Sequence, residues 1–179
     1  MEAPQLNEHK QSCDSASAED KRACIMPSDS KFAKGKAKYP PMHTAEHILN
    51  QTMVRIFGCE RSRNAHIERK KSKCDYNLPT APTEEQITAI EAQVNNIISQ
   101  NMPVTAEFCT RDNIPAGVDL SKLPDDASNT LRIVRVGDYD TCACIGTHVE
   151  NTAEIGVFKI ISYTWNDGTL RLRFKLIDR

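Results

Sequence analysis

The sequence predicts an α+β domain, a largely antiparallel sheet packed with two main helices. Three observations lead there. Two segments, residues 43–57 and the stretch after Thr83, repeat apolar residues at helical spacing. The C-terminal residues alternate apolar and polar side chains on both sides of a turn signal. The strand-like runs follow one another as hairpins instead of alternating regularly with helices.

The chain has 179 residues, 39% hydrophobic and 26% charged. That is enough for one domain with a core and too little for two. A net charge of -1 argues against a surface that binds nucleic acid everywhere, and leaves room for a local basic patch. No apolar run approaches the ~18 residues of a membrane span, and residues 1–10 lack a secretory core. A cytoplasmic protein with no membrane partner is expected. Seven scattered cysteines, an odd number, are expected to be reduced thiols.

Residues 1–38 are polar and read as a flexible extension, its four lysines at 31, 34, 36 and 38 being a solvated tail or a nucleic-acid arm. The folded domain is expected over 39–179, with Pro40-Pro41 at its threshold. The first helix runs from His43 to Phe57 and stops at Gly58. At about 100° per residue, Ala45, Ile48, Leu49, Met53 and Ile56 form one stripe, with His43, His47, Asn50 and Val54 roughly opposite. Strands over 64–68 and 73–78 follow, turning at 69–72. Thr83 and Gln86 have capping-box spacing. They open a helix carrying Ile87, Ile90, Val94, Ile97 and Ile98 inward, which Pro103 ends. Strands over 104–109 and 130–136 flank a loop with a short turn near 119–123. The last two, 157–165 and 169–177, meet at Asn166-Asp167-Gly168, a hairpin turn. Leu170, Leu172, Phe174 and Leu176 alternate with Arg171, Arg173 and Lys175, giving one buried and one basic face.

His43-Thr44-Ala45-Glu46-His47 places two imidazoles one helical turn apart. Cys144-Ile145-Gly146-Thr147-His148 adds a thiolate and a third imidazole. These nitrogen and sulfur donors suit zinc better than magnesium or calcium, so one zinc ion per chain is expected on His43, His47, Cys144 and His148. Cys142 would share a strand face with Cys144 and could substitute for it; the C-x-x-x-H spacing favours Cys144. Residues 43–47 also spell H-x-x-E-H, the inverted zinc-protease motif, in which Glu46 would activate water. Such enzymes complete the site with a downstream glutamate, whereas here the partner is a Cys/His pair. Glu46 points about 60–100° away from the histidines on a helix and otherwise reads as a solvated carboxylate.

The segments HTAEHILNQTMVRIFG and CIGTHVENTAEIG resemble the editing domain of alanyl-tRNA synthetase and the freestanding alanyl-tRNA editing proteins, whose fold is shared with the threonyl-tRNA synthetase editing domain. That family pairs H-T-A-x-H with C-x-x-x-H followed by T-G-E-I-G. The similarity runs from about Pro41 to Ile177. It implies a synthetase editing-domain-like fold and a zinc-dependent hydrolase acting on mischarged tRNA, chiefly Ser-tRNA(Ala) and sometimes Gly-tRNA(Ala). Larger members carry a glycine-rich barrel before this domain. Residues 1–40 contain only Gly35, so the short freestanding type, acting in trans, is expected. Two departures stand out. Ala153 replaces the glycine of T-G-E-I-G, and Cys142 stands where threonyl-type domains carry Asp, which favours the alanyl type.

In relatives the strand after the first helix lines the amino-acid pocket with Thr or Gln. Asn64 is its nearest counterpart here, either a partner for the seryl hydroxyl or a turn cap. Arg69, Lys70 and Lys71, within a basic run from Arg61 to Lys73, are expected to meet tRNA; the alternative is a solvated face. Arg171, Arg173 and Lys175 form a second stripe. No general base is identified, Glu46 being the one candidate. Four protein ligands describe a closed zinc site, whereas catalytic sites keep a position open; the metal's role stays open on that ground. The alternatives are a hydrolase for another mischarged tRNA and a zinc- and tRNA-binding module without hydrolysis. A monomer is favoured.

Overall fold

A computed structural model describes residues 39–118, 120 and 129–178. The expected extension over 1–38 and most of the turn near 119–123 lie outside them.

Helix α1 (Pro40–Phe57) starts three residues before the expected His43, with prolines in its first turn. A proline there sacrifices no hydrogen bond, because the first amides of a helix have no internal acceptor. The first helical bond runs from the His43 amide to the Tyr39 carbonyl, 3.0 Å. Gly58, at φ 64°, ends the helix in the left-handed conformation, its amide reaching the Val54 carbonyl. Met42, Ala45, Ile48, Leu49 and Met53 are fully buried. Ile56, expected on the same stripe, is 39% exposed, since the core ends a turn before the helix does.

Helix α2 (Glu84–Ser99) has the reciprocal capping box of Thr83 and Gln86, and buries Ile87, Ile90, Val94, Ile97 and Ile98. The strands are β1 (Asn64–His66), β2 (Ser72–Asn77), β3 (Val104–Thr110), β4 (Thr130–Val136), β5 (Asp140–Ala143), β6 (Val157–Asn166) and β7 (Thr169–Ile177). All pairings are antiparallel. Among the described residues they form two sheets, β1-β2-β7-β6 and β3-β4-β5. Strand β5 is an addition to the expected set. At the β6–β7 hairpin, Asp167 (φ 46°) and Gly168 (φ 77°) both take positive φ, as a two-residue type I′ turn requires.

Leu170, Leu172 and Phe174 of β7, Phe158 of β6, and Cys74 and Tyr76 of β2 form one cluster with the apolar stripes of both helices. Asn95 of α2 docks its helix on β6 by exchanging hydrogen bonds with both backbone groups of Phe158, at 2.8 and 2.9 Å. After β5 the chain runs through the second histidine segment into a 3-10 turn, Thr152–Ile155. Ala153 sits in that turn, donating its amide to the Asn151 side chain at 2.8 Å. Its φ is not positive, so nothing at this position demands glycine.

Candidate metal centre

The face of α1 opposite its apolar stripe is not solvated. His43 and His47 are 3% and 4% exposed, and Asn50 is 1% exposed. What covers the histidines is the chain from β5 to Val149. One ligand atom each from His43, His47, Cys144 and His148 lies within 4.8 Å of the other three. The sequence separates the two pairs by about a hundred positions, and the fold brings them together.

The loop's local structure explains how it reaches α1. Arg132 of β4 grips it from behind, donating to the carbonyls of Cys144 (2.9 Å) and Gly146 (2.8 Å). The Cys144 amide returns a bond to the Arg132 carbonyl at 3.0 Å. The Val149 amide donates to the Thr44 hydroxyl at 3.2 Å. Gly146 passes so close to His43 that a Cβ there would lie 2.7 Å from its Nδ1 and nearer still to its Cε1, well inside van der Waals contact. The glycine lets the loop backbone lie against an imidazole.

Hydrogen bonds orient the rings. His43 Nδ1 donates to the Thr147 carbonyl at 3.0 Å, which turns Nε2 toward Cys144 Sγ, 3.5 Å away. His47 Nδ1 lies 3.1 Å from an Asp140 carboxylate oxygen, leaving its Nε2 3.2 Å from His148 Nε2. Two imidazole nitrogens this close need a proton or a metal ion between them. Usual zinc–nitrogen and zinc–sulfur lengths in a tetrahedron give edges of about 3.3 Å for N–N and about 3.6 Å for N–S. The His43–Cys144 and His47–His148 separations match such edges, and the remaining pairs lie within 4.8 Å, so a set of one cysteine and three histidines fits the ion. His148 Nδ1 is buried without a hydrogen-bond partner.

The electrostatics are those of a cluster that favours a thiolate. Burial pushes the Cys144 thiol up, but hydrogen bonds from His148, His43 and His47 outweigh it and hold it at about 2. Burial pushes the His148 imidazole down. Burial also opposes the charge on His47, yet Asp140 and the two cysteines raise it well above the usual imidazole range.

A second group, His47, Asp140 and Cys142, adjoins the first. Cys142 Sγ is nearer His47 Nδ1 (3.3 Å) than Nε2 (3.9 Å). This group already has its cation. Arg61 forms a bidentate pair with Asp140 and approaches Cys142 Sγ at 3.7 Å. The sequence pattern puts Arg61 in a basic run facing RNA; it is instead 8% exposed, because Asp140 compensates its charge in the interior. Glu46, read from the sequence as a candidate base or else a solvated carboxylate, is 2% exposed and so is not solvated. One of its oxygens lies 3.9 Å from His43 Nε2.

Asn64 does not join the cluster through any contact of its amide. It is exposed on β1 and donates to Asp75 at 2.7 Å, and Asp75 is in turn paired with Arg171. Arg69, Lys70 and Lys71 are exposed in the β1–β2 connection. Arg69 lies 5.1 Å from the Tyr39 ring centroid, and with Lys70, Tyr39 and Glu154 it lines a cavity of about 600 Å³. Tyr39 is the residue before the first turn of α1, four positions ahead of His43. Asp140, Arg61 and Arg132 are the site residues that sequence patterns miss, as no short motif connects them to the histidines.

Residues 131–173 match the model of the threonyl and alanyl tRNA synthetase second additional domain. An alanine–tRNA ligase of Caldicellulosiruptor saccharolyticus is 36% identical over 121 residues, and one of Fervidobacterium nodosum 34% identical over 121. Each alignment covers 67% of this chain and 14% of the ligase. The ligase of Prochlorococcus marinus is 33% identical over 133 residues, 74% of this chain and 15% of that protein. The chain thus spans about a seventh of the length of these relatives. Two histidine segments joined on an α+β scaffold, with aligned sequence over two thirds of the chain, identify a protein related to the editing domain of alanyl-tRNA synthetase.

Proposed function

We propose that the chain is a zinc-dependent aminoacyl-tRNA deacylase that hydrolyses mischarged Ser-tRNA(Ala), with Gly-tRNA(Ala) as a secondary substrate. The observation that carries this reading is the convergence of His43, His47, Cys144 and His148 at zinc-like spacing on an editing-domain scaffold. Zinc held by these four residues would supply a fixed positive charge for orienting and polarising the substrate.

The residues of the chain supply the rest. An aminoacyl ester is already activated, so placing a water molecule and stabilising the developing oxyanion accomplish much of the work. Glu46, with its carboxylate beside the metal-facing nitrogen of His43, is the candidate to take a proton from that water. Arg69 and Lys70, which line the Tyr39 cavity, are the proposed contacts to phosphates of the tRNA end. Asn64 would have to release Asp75, which engages its amide, to serve as the seryl partner.

The test is a deacylation assay of the full chain on alanine tRNA charged with serine, glycine or alanine, with and without chelator. Rapid, chelator-sensitive loss of serine with alanine spared is expected. A second reading, a zinc- and tRNA-binding module without hydrolysis, draws support from the four-ligand set, which fills a tetrahedron. Inertness towards all three esters with zinc and tRNA still bound would establish it.

A further inference from the structure

We infer that Asp140 and Arg61 are positioning residues for the metal, which fix His47 with its Nδ1 protonated and its Nε2 free to ligate. The inference rests on the zinc reading above and goes beyond it, to residues outside the ligand set.

An imidazole can present either nitrogen to a metal, and the hydrogen bond made by the other decides which. His47 Nδ1 lies 3.1 Å from Asp140 Oδ2. The Asp140 side chain is completely buried, which shields that carboxylate from bulk solvent. An isolated buried carboxylate would be costly, but Arg61 holds both of its oxygens. The Arg61 side chain is itself 5% exposed. A further bond, from Arg61 Nη1 to the Gln51 side chain at 3.4 Å, ties the guanidinium back to α1. The carboxylate therefore faces His47 in one fixed orientation. His43 achieves the same end differently, through the Thr147 carbonyl.

The arrangement also accounts for Cys142. Its sulfur lies on the Nδ1 side of His47 and within 3.7 Å of Arg61 Nη2. The guanidinium occupies the place a second cation would need to use the His47, Asp140 and Cys142 group. Among the described residues this leaves one set of side chains open to a metal, with Cys142 beside it and outside it.

The test uses the zinc-loaded full chain and needs no variant at its first step. Long-range nitrogen–proton NMR correlations of the imidazoles assign the tautomer of His47. A protonated Nδ1 and a metal-bound Nε2 are expected; coordination through Nδ1 overturns the inference. The second step measures zinc affinity by chelator competition, and the visible spectrum of the cobalt-substituted protein. Asp140→Asn should weaken zinc about 10–100-fold and shift the cobalt bands. Asp140→Glu, which keeps the charge, should recover part of the affinity. Arg61→Gln should weaken zinc as well, by releasing the carboxylate. A folded Asp140→Asn protein that binds zinc as tightly as wild type, with unchanged cobalt bands, refutes the positioning role. A wild-type protein that binds no zinc removes the metal reading and this inference together. Zinc binding without deacylation leaves the inference standing and removes the enzyme reading.

Discussion

Gly146 and His43 meet at a distance that leaves no room for a side chain on residue 146. A methyl group there would press on both Cε1 and Nδ1 of His43, so the ring must tilt and lose the Thr147 carbonyl. Gly146→Ala is expected to weaken zinc roughly tenfold or more, measured by chelator competition. Ile145→Ala, at a side chain 71% exposed, should leave it unchanged. Cys144→Ser should abolish stoichiometric zinc in elemental analysis, while Cys142→Ser retains one ion per chain; loss from Cys142→Ser alone would reverse the ranking of the two thiols. At this scale the sequence is informative where chemistry is local. Two histidines four apart, and a cysteine four before a histidine, are short patterns. Asp140 and Arg61 lie 79 positions apart, and their pairing exists only once β5 and the segment after α1 are brought together. Glu46 departs from expectation for a related reason: a helical wheel gives the angle of a side chain but not what covers it.

Among the elements, α2 is legible almost to the residue, because its cap and its apolar repeat are both written within the helix. Thr83→Ala should cost about 1 kcal/mol in denaturant unfolding. Asn95 is the less visible half of this element. Its side chain satisfies the backbone amide and carbonyl of Phe158, so Asn95→Ala strands two polar groups at the helix–sheet junction. A loss of about 2 kcal/mol is expected, with zinc content intact; a fall in zinc content would mean that α2 supports the metal site directly. Strand β5 leaves little trace in the sequence because Asp-Thr-Cys-Ala is short, partly polar and without apolar alternation. Its inward residues, Asp140 and Cys142, serve the centre more than the core, so the usual signal of a strand is missing where function replaces packing. The helix starts at Pro40 because prolines that commonly mark a boundary also suit a first turn.

For the whole molecule, the antiparallel preference is evident from the hairpins, but division into two sheets is not. Which strands pair across long separations depends on how α1 and α2 cover one face, and no local pattern records that. The charge distribution changes in the same way. With Arg61 withdrawn into the interior, the exposed cations of the β1–β2 connection stand beside the Tyr39 cavity. Replacing Arg69, Lys70 and Lys71 together by Ala should weaken tRNA binding and lower its salt slope by about one for each phosphate no longer engaged. Binding titrations across a salt series measure both, and an unchanged slope places the RNA elsewhere. The ligand pairs also have a mechanical consequence. His43 and Cys144 are 101 positions apart, as are His47 and His148. An ion bridging them closes most of the folded chain into a ring, much as a disulfide would, but one that opens to a chelator instead of a reductant. Stretched from its two ends in an optical trap, the zinc-loaded protein should keep roughly 350 Å of contour length hidden until the knot of imidazole and sulfur gives way. The metal-free chain should extend without that final step.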